Sequence, residues 1–277
     1  MAIDRQQHDT MGLHRIGEIP TEIRSAVDQL CREIIGALYA RSRRTFDENA
    51  LLGLFTRIAG SWDSLCALVG TSRNDMHLQA RAHDCAAILR CMYDAYIQLA
   101  YIAVSPEEEQ LGELYCEFVH VERFKVSTEA VKQENAMARM VANSPMRAEG
   151  EPRNRREFDR VKHLYIKPKP KDADDTRGKW YRLSNLRQVA EKIGRGDDYV
   201  WFVKRYGSSV HSGPFAVFHG PQCADARIIE GLALHYVCLA AKNVVQKCQL
   251  PFSERSQALV RGGSIDMVNS LETPVDT

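Results

Sequence analysis

Net charge is almost absent from this chain. Thirty-seven Lys and Arg stand against thirty-six Asp and Glu, a formal charge of +1 over 277 residues. The molecule as a whole therefore cannot draw in a polyanion, and any anion-binding surface has to come from local clustering. Metal and nucleotide signatures are missing too. There is no H-E-x-x-H, no carboxylate cluster at ligand spacing, and no phosphate-binding or dinucleotide glycine loop. No metal or nucleotide cofactor is supported. Eight cysteines occur without C-x-x-C or zinc spacing, so they read as reduced, mostly buried thiols of a cytoplasmic protein. The residues from Met1 to His8 lack the apolar core of a signal peptide. The stretch Cys85 to Val104 is long enough to cross a membrane, but it carries Arg90 and Asp94. Charges at mid-bilayer are costly, so it reads as a buried bundle helix rather than a span. Strand-like alternation of useful length is lacking, as is any internal repeat.

What is present is helical periodicity. Ile23, Val27, Leu30, Ile34 and Leu38 recur at helix spacing, with Arg24, Asp28 and Arg32 on the other side. Thr45-Phe46-Asp47-Glu48 is a capping box and predicts a helix start. Leu51, Leu52, Phe55 and Ile58 follow, and the helix can run past Gly60 to Gly70. The most apolar helix spans about Asn74 to Val104 and should be central. Ser105-Pro106-Glu107-Glu108 predicts another start, continued by Leu111, Leu114, Tyr115, Phe118 and Val121. Ser184 is read as the cap of a short helix through Leu186, Val189 and Ile193. A last helix is expected from about Ala224 to Gln249.

These elements predict an all-α fold, a multi-helix bundle of about five to seven helices. Residues 1–17 are read as a disordered N-terminus, 18–250 as one helical domain, and 251–277 as a flexible tail. Within the domain, residues 143–182 form an insertion where basic residues outnumber acids. Pro152 is expected to start a short helix there, and Lys167-Pro168-Lys169-Pro170-Lys171 to break it. Lys167, Lys169 and Lys171, with Trp180 as a stacking surface, are candidate RNA contacts. A solvated loop accounts for the same composition equally well, since Glu157, Asp172, Asp174 and Asp175 dilute its charge.

The chemistry-bearing stretch is Asp197 to Pro214. Tyr199, Phe202, Val203 and Tyr206 form one apolar helical stripe, and Gly213-Pro214 should stop the helix. Gly207 is expected to loosen it. Just before the stop lie Lys204, Arg205, Ser208, Ser209 and His211. Arg205 is a permanent cation suited to phosphate, and His211 titrates near neutral pH and so can act as acid or base. Six residues apart on an ideal helix, the two point roughly 120° away from facing each other. They converge only if the helix unwinds after Gly207 or if a second copy completes the site.

Arg205-Tyr206-Gly207-Ser208-Ser209-Val210-His211 fits the R-x(4–6)-H signature and resembles that of HEPN domains. The helix from Ala80 to Ile102, with Arg90 four residues before Asp94, resembles one found in an uncharacterised bacterial HEPN-like family. The likeness spans roughly residues 20 to 250. It implies an all-helical, often dimeric domain. It also implies metal-independent ribonuclease activity, by 2′-hydroxyl attack giving a 2′,3′-cyclic phosphate, in phage defence or a toxin system. A homodimer, RNA as partner and a restraining antitoxin or regulatory protein follow from the same resemblance. Arg205 and His211 are then catalytic, with Tyr206, Ser208, Ser209, Arg90 and Asp94 in support and Lys204 on RNA. Arg90 and Asp94 read more simply as a buried structural ion pair. The family commonly has Asn, Asp or His after its arginine, and Tyr206 stands there in this chain. That favours the alternative, a catalytically silent HEPN-like module binding RNA or protein.

Overall fold

The computed structural model describes residues 19–71, 75–105, 110–132, 145–210, 223–251, 253 and 256. The predicted starts at Ser105-Pro106 and the stop at Gly213-Pro214 lie wholly or partly outside them, as do His211, the segment 1–17 and most of the tail. The fold is all-α. Its helices are α1 (Thr21–Tyr39), α2 (Phe46–Gly70), α3 (Asp75–Val104), α4 (Leu111–Lys132), α5 (Pro145–Val161), α6 (Leu186–Lys192), α7 (Gly196–Val210) and α8 (Cys223–Cys248). Among the described residues there is no strand, only one isolated antiparallel bridge between Ile166 and Thr176.

The chain divides into two compact units. The first holds residues 1–44, 51–106 and 185–277, and the second holds 45–50 and 107–184. In the first, α3 and α8 make the most extensive helix pair, and α1, α6 and α7 pack around them. Small residues permit that approach: Ala82, Ala86, Ala233, Ala240 and Ala241 are fully buried. Val27, Leu30, Ile34 and Leu38 of α1 are also fully buried, as the periodicity of that helix required. Trp62 of α2 is buried and donates its indole N–H to Asp28 at 3.1 Å, so its one polar atom is satisfied. Residues 226–248 of α8 are long and apolar enough to cross a membrane, with a mean hydropathy of 1.4. Most of that stretch is buried inside the protein, and it carries Glu230, which pairs with Arg24 of α1 at 2.7 Å. The start of the tail is held: Ser253 donates to Glu33 at 3.0 Å, and Ser256 is buried.

The second unit opens on the capping box. Thr45 N–H donates to Glu48 Oε2 at 2.9 Å, and Glu48 N–H to Thr45 Oγ1 at 3.2 Å. Asp47 then accepts from Gly112 N–H at 3.0 Å, which joins the start of α2 to α4. A Cβ on Gly112 would run into the Asp47 backbone, which cannot swing aside like a side-chain tip. Gly112→Ala is expected to cost about 1–3 kcal/mol, the usual range for overpacking, read as a lower urea midpoint with an unchanged slope.

Two boundaries differ from the sequence reading. Pro152 lies inside α5, which starts at Pro145. Pro145 takes the first helical position, where a missing N–H is harmless, and the buried Phe158 and Val161 anchor the far end. Asn185, not Ser184, caps α6, its side chain accepting from Gln188 N–H at 3.0 Å.

Candidate functional site

Helix α7 presents Arg205. Asp197 and Asp198 occupy its first turn, where negative charge favours the helix dipole. Arg195, just before it, pairs with Asp198 at 3.0 Å. The inner face is aromatic. Phe202 stacks flat on Tyr93 of α3, with centroids 4.0 Å apart and planes 7° apart. Tyr236 of α8 meets both rings edge-on, at 5.3 and 4.9 Å. Tyr206 is buried against Phe202 and Trp201. Such pairs add to the area they bury, so the first half of α7 is fixed to α3 and α8 through Phe202.

The helix passes through Gly207 without a break and continues to Val210. One apolar face, locked by Phe202 and Tyr206, outweighs the roughly 1 kcal/mol a glycine costs in a helix. The helix therefore does not unwind directly after Gly207, as one of the two routes to a converged Arg205 and His211 required. Arg205 is half-buried, and Lys204 beside it is exposed. Ser208 and Ser209 lie in the last turn, where the backbone alone is described. Tyr206 is core. Its side chain supports the helix from inside and does not stand beside Arg205.

Arg90 and Asp94 form an ion pair within α3. Burial raises the Asp94 carboxyl, and the hydrogen bond from Arg90 pulls it back. The Arg90 guanidinium also lies over the Tyr199 ring, 5.4 Å from its centroid. The pair therefore grips the first half of α7, about 9 Å along the axis from Arg205 at 1.5 Å per residue. An apolar helix can carry these charges because each has a partner.

The basic segment belongs to the second unit, and part of its charge is internally matched. Asp174 bridges Arg155 at 2.8 Å and Lys162 at 2.9 Å. Asp159 pairs with the same two residues, which hold its carboxyl down at about 2. Lys167 pairs with Asp175, while Lys169 and Lys171 are exposed. Trp180 is buried, edge-on to Tyr115 at 5.4 Å, and so offers no face to a base. Lys125 of α4, which periodicity did not single out, donates to the carbonyls of Thr176 and Arg177 at 3.1 and 2.7 Å and pins this loop.

A shallow cavity of about 400 Å³ lies in the first unit, lined by Arg57, Gly60, Ser61, Ser64, Ala87, Ile88 and Cys91. Among the described residues no three His, Cys, Asp or Glu side chains are grouped to hold a metal.

Residues 47–221 match the model of a family of unknown function, DUF5677. The match covers more than half of the 277 residues. The chain belongs to this family. The family's segment begins with α2 and takes in α3 with Arg90 and Asp94, the basic segment, all of α7, and His211. It ends before α8, the main packing partner of α3. Comparison with curated proteins and with solved structures gives no match.

Proposed function

We propose that this chain is a metal-independent endoribonuclease of HEPN type. The observation that carries the reading is the setting of Arg205. It sits half-buried on a helix that an aromatic cluster holds rigid, with exposed Lys204 before it and the two serines and His211 after it. A guanidinium so fixed can hold a phosphate and the charge that grows on it during displacement. His211 then removes the 2′-hydroxyl proton or protonates the departing 5′-oxygen. The 2′-oxygen bonds to phosphorus as the bond to the 5′-oxygen breaks, leaving a 2′,3′-cyclic phosphate and a 5′-hydroxyl. Both an acid and a base are needed, and one chain supplies one such histidine. A homodimer with two Arg205–His211 pairs in one cleft meets the requirement, in line with a helix that stays wound through Gly207. A bacterial defence or toxin role in the cytoplasm, restrained by an antitoxin or regulatory protein, fits the same reading.

The alternative is a silent RNA-binding or protein-binding module, suggested by Tyr206 in place of a small polar residue. The burial of Tyr206 weakens that argument, because the ring fills the core rather than the site.

The test is cleavage of RNA by the purified full chain in EDTA. Arg205→Ala and His211→Ala are each expected to lower the rate by about 100-fold or more. The wild type should leave cyclic-phosphate ends. Cleavage that survives both changes would place the chemistry elsewhere, and no cleavage of any RNA would favour the binding module.

A further inference from the structure

Of the three tryptophans, Trp62 and Trp180 are buried, at 0% and 5% exposure, whereas Trp201 is 47% exposed. A single exposed aromatic is ordinary by itself. Its neighbours make it informative. On α7 the residues three and four positions on are Lys204 and Arg205, which share its face of the helix. Lys204 is exposed and makes no ion pair among the described residues. Asp198 is occupied by Arg195, and Asp197 lies one turn back, so charge along this face runs from acidic to basic toward the Arg205 end. The Trp201 ring is steadied by edge contacts with Phe202 and Tyr206, at 77° and 85°. Among the described residues no ring is stacked on its face. A fixed aromatic beside two cations is the arrangement that binds a base by its π-face and the neighbouring phosphates by charge.

We propose that the outer face of α7 is the contact surface for unpaired RNA, with one base stacked on Trp201 and the adjoining phosphates on Lys204 and Arg205. This deepens the ribonuclease reading and rests on it for the identity of the polymer. The strand must be unpaired because a base in a duplex is already stacked on both faces. The substrate class is therefore single-stranded RNA or an RNA loop.

The burial pattern supplies the test. Only Trp201 among the tryptophans is open to an added base, so intrinsic fluorescence reports on it. Full-length protein carrying His211→Ala is titrated with a single-stranded oligouridine in EDTA, and separately with an RNA duplex of equal length. The single strand should quench the emission and the duplex should not. Trp201→Ala should weaken binding about tenfold, and Trp201→Phe, which keeps a stacking ring, less than about threefold. Lys204→Ala, an exposed change unable to disturb the core, should lower the salt-dependence slope by about one.

Several results would overturn the proposal: no quenching by the single strand, equal binding of the duplex, or quenching that persists in Trp201→Phe. So would loss of acrylamide access to Trp201 as protein concentration rises, because a second copy would then occupy the face. The two readings fail separately. Quenching without cleavage by the wild type sinks the ribonuclease and leaves the RNA face standing. Cleavage without quenching does the reverse.

Discussion

Glu230→Ala is expected to lower stability by about 3–5 kcal/mol, the cost of leaving one partner of a buried ion pair unmatched. Glu230 is 1% exposed on α8, and its Oε1 lies 2.7 Å from Arg24 Nη2 on α1. Burial pushes the half-buried Cys66 thiol up to about 12, and the Glu230 carboxylate, 4.0 Å from its Sγ, adds to that rise. Alanine removes the anion but leaves the guanidinium in a site mostly closed to water. For a chain of this size the loss corresponds to a fall in Tm on the order of 10 °C. Replacing both partners by apolar residues of similar volume should recover most of it, because a buried pair adds little over good packing. Thermal melts of Glu230→Ala, Arg24→Met and the double variant Arg24→Met, Glu230→Met decide the matter. A fall under about 1 kcal/mol for Glu230→Ala would mean that water reaches Arg24.

The second large effect is alkaline unfolding. Burial raises the thiols of Cys31, Cys85 and Cys238, the latter two to about 11 and about 12, against an ordinary value of 9.0. Burial likewise raises the phenols of Tyr93, Tyr96 and Tyr236. The folded state keeps these protons after the unfolded chain has released them, so stability falls as pH rises. The contribution is complete below the unfolded thiol value of 9.0 and disappears as pH climbs toward the folded values. At pH 10 the three thiols together give up on the order of 4 kcal/mol, against a typical total stability of about 5–15. Melts at pH 7.5, 9 and 10 should show Tm steady to pH 9 and then falling sharply. A Tm unchanged through pH 10 would show that these thiols ionise in place.

The candidate site was legible in part. The stripe of Tyr199, Phe202, Val203 and Tyr206 put Arg205 on a helix, because i, i+3, i+4 spacing is a property of the chain itself, although Val203 turns out to be exposed. Arg90 and Asp94 were legible as a pair for the same reason. That they grip Tyr199 was not, since the contact crosses from α3 to α7 over more than a hundred residues. Trp180 and Trp201 show the limit most plainly. Trp180 lies in a polar stretch and Trp201 within the apolar run from Tyr199 to Val203, yet the first is buried and the second exposed. Trp180 is buried because Tyr115, 65 residues earlier, closes over it. Trp201 is exposed because Phe202 and Tyr206 already fill the inner face of α7.

By itself the sequence determined what depends on neighbours within one turn: the helix class, the Thr45–Glu48 capping box, the inward stripe of α1 and the cationic end of α7. Those are settled by backbone geometry and side chains three or four residues apart. Tertiary structure alone decided where Pro152 falls within α5, which acids pair with Arg155, Lys162 and Lys167 of the basic segment, and which arginine faces Glu230. It also turned Tyr206 inward and left Trp201 outside. Each of these is a choice among distant partners, made by burial and charge matching once the helices have met.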